Sequence, residues 1–196
     1  GANSVAGNTV VGETALDASV TGGNNTAIGK DTLSDLTSGA RNTAIGADAG
    51  ENITTGNDNT AIGSGTMVDL TTGSNNTSCG KGSLALTTTA SNNTAVGYDA
   101  MNANTTGSSN TAVGTQSLDA NTTGADNTAI GKGALTSNTT ASFNTAVGND
   151  ALRDVTTNTN NVAMGVNAAL TSTGSYNTAI GNNTFRGTSN SGSNCT

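Results

Sequence analysis

One short pattern recurs eleven times along this chain, almost always at a spacing of seventeen residues, and that regularity limits the fold more than any single residue does. The copies begin at Asn8, Asn25, Asn42, Asn59, Asn76, Asn93, Asn110, Asn127, Asn144 and Asn161, then at Asn177 after one step of sixteen. A fixed period of this size marks a stacked-repeat architecture, in which each unit buries its apolar residues only against its neighbours. We number the positions of each copy as slots, with the Asn as slot 1.

Slot 4 holds an aliphatic residue in most copies, as in Ile28, Ile45, Ile62, Val96, Val113, Ile130 and Val147. Slot 9 holds Leu33, Leu84, Leu118, Leu135 and Leu152 among others, preceded at slot 8 by Ala, Thr or Ser. These two sets are the expected core columns. Slot 5 is Gly in every copy, and Thr dominates slots 13 and 14. None of the charged residues falls outside slots 6, 7, 10, 11, 16 and 17, so those slots read as corners. Three uncharged sides remain between them, at slots 1–5, 8–9 and 12–15, each short enough to be a strand.

Seventeen residues exceed the length that a parallel crossover needs, so equivalent strands can stack in register from copy to copy. The sequence therefore predicts an all-β fold, a parallel β-solenoid or β-roll of about eleven seventeen-residue coils with three sides. Residues 1–196 read as a single repeat domain, with the repeats over 8–193, a shortened start at 1–7 and an unfinished coil at 194–196. Because that last coil is still in phase, the chain reads as a processed product or a window of a longer fibre. The slot-1 residues Asn25, Asn42, Asn59, Asn76, Asn93, Asn110, Asn127, Asn144 and Asn161 are expected to form a hydrogen-bonded column. Alternation along the strand is expected to send slot 4 inward and the Ala of slot 3 outward, giving a smooth face for lateral packing. Helix is disfavoured, since Thr, Asn and Gly are weak helix formers and no 3.6-residue stripe is present.

Only 32% of the chain is hydrophobic and only 2% is aromatic, too little for a conventional globular core. Disordered chains share that composition but do not hold an aliphatic residue at one slot through many periods. The net charge of −7, with six scattered Lys and Arg, argues against a nucleic-acid partner. No apolar run is long enough to span a bilayer as a helix.

The chain has no His, so the commonest general base is missing, and its carboxylates show no repeated pair; an enzyme is not expected. Cofactors are not expected either. Calcium at Asp31 with Asp35, or at Asp69 beside Asn residues, is a weak alternative to solvated corners. Cys79 sits in slot 4 and reads as a buried thiol in place of Ile. Cys195 is a candidate for an intermolecular disulfide. Candidate glycosylation sites are the slot-17 residues Asn24, Asn75 and Asn92 and the slot-12 residues Asn104, Asn121 and Asn138, each opening an Asn-x-Ser/Thr sequon.

Asn-Thr-Ala-Ile-Gly is similar to the Asn-Ser-Val-Ala-Ile-Gly signature in the head repeats of trimeric autotransporter adhesins. The longer unit, with Ala-Leu and then Thr-Thr-Gly, resembles shaft repeats of bacteriophage tail fibres. What the resemblance implies is a left-handed β-roll and an extracellular fibrous role in attachment or scaffolding. The expected function is a structural one, a filament or fibre shaft whose partners are copies of itself, laterally and end to end. The alternatives are a tail-fibre or adhesin segment that binds a host glycan or receptor, and an ice-binding protein using the Thr of slots 13 and 14.

Overall fold

The computed structural model describes residues 5–171 and 173–185. Cys195 and the unfinished coil at 194–196 lie outside them. The described chain is all-β, a parallel β-solenoid with eleven three-residue strands. These are β1 (Thr9–Val11), β2 (Thr26–Ile28), β3 (Thr43–Ile45), β4 (Thr60–Ile62), β5 (Thr77–Cys79), β6 (Thr94–Val96), β7 (Thr111–Val113), β8 (Thr128–Ile130), β9 (Thr145–Val147), β10 (Val162–Met164) and β11 (Thr178–Ile180). Each occupies slots 2–4, and together they form one sheet in chain order. Like pairs with like throughout, as in Thr43 with Thr60, Ala44 with Ala61 and Ile45 with Ile62. Register survives the one short coil, because Val162 still pairs with Thr178 and Met164 with Ile180. At ~4.8 Å per coil, the ten steps from β1 to β11 make a rod of about 50 Å.

Only the first of the three expected sides is strand. The other two are successions of turns, joined to the next coil by backbone hydrogen bonds such as Leu33 N–H to Ala49 C=O (3.2 Å) and Thr37 N–H to Thr54 C=O (2.9 Å). Their backbone enters the left-handed region too often for a strand. Leu33, Leu84, Leu118, Leu135 and Leu152 at slot 9 have φ of 50°, 51°, 54°, 53° and 51°. A branched side chain at such an angle costs about 1–2 kcal/mol. Full burial of a Leu contributes roughly 1.5–3 kcal/mol. The burial outweighs the strain, and all five leucines are fully buried, as expected.

The expected direction of the strand side chains is reversed. Ala27, Ala44, Ala61, Ala95, Ala112, Ala129 and Ala146 at slot 3 point into the lumen and are at most 1% exposed. Ile45, Ile62, Val96, Val113 and Ile130 point outward, at 36–41% exposure, and Ile28 and Val147 are partly exposed. They are not core residues. Space explains the reversal, because slot 12 supplies a further inward column that hydropathy along the repeat does not mark: Leu36, Ile53, Leu70 and Val155 are 0–1% exposed. With slots 9 and 12 filling a narrow lumen at close-packed density, the strand has room inside for Ala or, at Ser78, Ser, and the larger Val10 of the first coil is only partly buried.

Glycine at slot 5 is enforced by the neighbouring coil. Gly97 has φ +138°, and a Cβ there would lie 2.5 Å from the carbonyl oxygen of Gly114. Gly97→Ala is expected to lower stability by about 3 kcal/mol through combined strain and clash. Leu118→Ala is expected to lose about 2–5 kcal/mol by leaving a cavity. Urea unfolding followed by circular dichroism measures both; near-wild-type midpoints would contradict the packing described.

Candidate functional site

The slot-1 column holds the scaffold in place. Asn25, Asn42, Asn59, Asn76, Asn93, Asn110, Asn127, Asn144 and Asn161 are all buried. Asn93 shows the pattern: its Nδ2 donates to Gly107 C=O across its own coil at 2.9 Å, while its Oδ1 accepts from the Asn110 N–H of the next coil at 2.9 Å. One side chain thus closes a coil and docks the following one. Asn93→Ala would leave the Asn110 N–H buried and unmatched, at about 1–3 kcal/mol, while the Gly107 carbonyl keeps the Asn104 Nδ2 donor at 2.9 Å. The expected loss is therefore about 1–3 kcal/mol, read from the shift in urea midpoint.

A second buried Asn column occupies slot 12 in later coils. Asn121 Nδ2 donates to Asn104 Oδ1 at 2.7 Å and Asn138 Nδ2 to Asn121 Oδ1 at 2.8 Å. All three are 0% exposed, so their amides cannot carry a glycan and that expectation is corrected. The sequon motif reports local sequence only, whereas burial depends on which slots turn inward. Val155 follows in the column and cannot donate, so Asn138 Oδ1 has no partner. Asn24, Asn75 and Asn92 at slot 17 are exposed.

The Thr of slot 13 is tied into the scaffold. Thr71 Oγ1 donates to Thr88 C=O at 3.0 Å and Thr88 Oγ1 to Thr105 C=O at 3.1 Å. Such hydroxyls are not free for a surface role, which leaves slot 14 as the exposed Thr column on that side.

The outer face of the sheet is a uniform surface along the described coils. Slot 2 contributes Thr in every described copy except Val162, and slot 4 contributes Ile or Val except at Cys79 and Met164. No charge interrupts slots 1–5. The result is two parallel ranks, one of hydroxyls with methyls and one of aliphatics, repeating at each coil. Cys79 belongs to the aliphatic rank and is exposed with a free thiol, not buried. It replaces an Ile, but at an outward slot.

Charge gathers at the corners. Arg41 donates to Asp58 in the next coil through Nε (2.6 Å) and Nη2 (2.7 Å), which holds the Asp58 carboxyl below its usual range. This exposed pair adds little to stability. Asp31 is lowered by the hydroxyl of Thr14 and by Lys30, 3.2 Å away. Glu51 is raised by burial and then by Asp48, Asp31, Asp35 and Asp69. Among the described residues no three or more His, Cys, Asp or Glu come together as a group that could hold a metal ion. Among the described residues no helix is long and apolar enough to cross a membrane.

A raised pKa means that the folded state binds the proton more tightly, so Glu51 favours folding only below the ordinary carboxylate range and opposes it above. Glu51→Gln is therefore expected to raise Tm at pH 7 and to lose that advantage below pH ~4, near the unperturbed carboxyl value. A scan of Tm against pH on both proteins checks the sign.

No family model matches the chain, and no curated protein or solved structure matches it.

Proposed function

We propose that this chain is a shaft element of an extracellular filament, in which rods pack side by side through the Thr and aliphatic face of the sheet. One observation carries the reading: an uncharged outer face continues through eleven strands in register, with most of the aliphatic side chains along the rank held in water at 36–66% exposure and Ile28 and Val147 partly exposed. Contiguous exposed apolar surface of this kind marks an interaction site. The work of such a shaft is mechanical reach and a repeated surface, and it needs neither a cofactor nor a catalytic group. Adhesin-head and tail-fibre shafts, whose repeats the chain resembles, are fibrous in the same sense.

The triple variant Ile62→Lys, Val96→Lys, Ile130→Lys places three charges on the face without touching the lumen. Sedimentation velocity is expected to show an oligomer for the wild type and a monomer of unchanged circular dichroism for the variant. Wild-type protein that stays monomeric up to high concentration would sink lateral packing. If rods align in parallel, Cys79 meets its counterpart, and mild oxidation yields a disulfide-linked dimer.

A second reading rests on the same face. Paired ranks of Thr and Ile or Val repeating at coil spacing could order water into a lattice, with these ranks replacing the slot 13 and 14 columns in an ice-binding role. Thermal hysteresis measured on the monomeric form separates the two, since a shaft produces none.

A further inference from the structure

The slot-17 corner carries an anomaly in its last described coils. This position has a left-handed backbone in coil after coil, and it is filled mostly by residues that tolerate such angles, including Asn24, Asp58, Asn75, Asn92, Asp126 and Asn160, with φ between 57° and 62°; Ser109 is small, and Arg41 engages its side chain in the ion pair with Asp58. Phe143 and Tyr176 break the rule. They adopt φ of 62° and 61°, values rare for bulky side chains, and each ring is 59% exposed. Burial does not compensate the strain here, as it does for the slot-9 leucines. Strain retained around a solvent-facing aromatic points to use of the ring itself.

The two positions are equivalent in the scaffold. The N–H of Phe143 donates to Ala125 C=O (3.2 Å), that of Asn160 to Ser142 C=O (3.3 Å) and that of Tyr176 to Thr159 C=O (3.1 Å). Phe143, Asn160 and Tyr176 thus stand in one file, with the aromatics two coils, or about 10 Å, apart. The amide of Asn160 lies between them, donating to Thr159 Oγ1 at 3.0 Å. No charged residue stands at slots 15–17 or 1–5 from Phe143 to Gly181.

We infer that Phe143 and Tyr176, with Asn160 between them, form a stacking ridge for a neutral β-1,4-linked glycan. A pyranose offers an apolar C–H face to an aromatic ring and hydroxyls to an amide, which is the alternation this file presents. An extended β-1,4-linked chain shows the same sugar face at every second unit, a repeat of the same order as two coils. A protein partner would be met by contiguous apolar cover, and an anionic ligand by a positive charge; the file offers neither, and the charge next to it, Asp126 one coil before Phe143, is acidic. The inference goes beyond the shaft reading and makes the shaft a holder of polysaccharide.

Asn is the residue that other coils use at this corner, so Phe143→Asn and Tyr176→Asn remove the rings while easing the backbone. Cellohexaose and chitohexaose serve as soluble probes in isothermal titration against the full chain. At least one probe is expected to bind, each single variant to weaken it about tenfold or more, and the double variant to abolish it with Tm unchanged or raised. If neither hexasaccharide binds, or if the double variant binds undiminished, the inference is overturned. A double variant that dissociates oligomers in the absence of glycan would also overturn it, by making the rings a protein contact. The Lys triple variant of the sheet face keeps Phe143, Asn160 and Tyr176, so it is expected to retain glycan binding whether or not lateral packing is real.

Discussion

Everything in this rod depends on one side chain making two hydrogen bonds. From Asn8 to Asn144 the amide of the slot-1 Asn closes its own coil through Nδ2 and receives the next coil's N–H on Oδ1, as between Asn59 and Asn76 at 3.0 Å and between Asn110 and Asn127 at 3.0 Å. An amide is required because the role needs a donor and an acceptor on one planar group, and neither Asp nor Leu supplies both. The bond is buried, so its loss leaves unmatched polar groups where water cannot reach them. With that column fixed, the three residues that follow each Asn are placed over their equivalents and the sheet forms in register.

The lumen is organised around scarcity of space. Leucine or methionine at slot 9 fills most of it, and slot 12 fills the remainder, first with Leu36, Ile53 and Leu70 and later with Asn104, Asn121 and Asn138. What the strand contributes inward is therefore mainly alanine. The larger Ile and Val of the strand are displaced to the outside, and the apolar surface available for contact with other molecules follows from the packing of the inside.

Backbone strain has two different meanings in this molecule. At slot 9 it recurs in nearly every coil and is balanced by complete burial of a large side chain. At Phe143 and Tyr176 it occurs twice, on rings that remain in water. The shaft and the ridge are separable properties for that reason: the first belongs to the repeat, the second to departures from it.

The seventeen-residue period, the invariant Gly, the Asn column and the confinement of charge to corners were legible in the sequence, because a translational repeat writes each scaffold position many times. Those features determined a parallel β-solenoid and placed Leu33, Leu84, Leu118, Leu135 and Leu152 in its core. Which face of a three-residue strand turns inward was not legible. Hydropathy favours Ile over Ala for the interior, and only the volume left by slots 9 and 12 reverses that preference. The burial of the Asn104, Asn121 and Asn138 amides, the exposure of Cys79 and the restriction of strand to one side were likewise decided by tertiary structure, since each depends on what the neighbouring coil and the opposite wall already occupy.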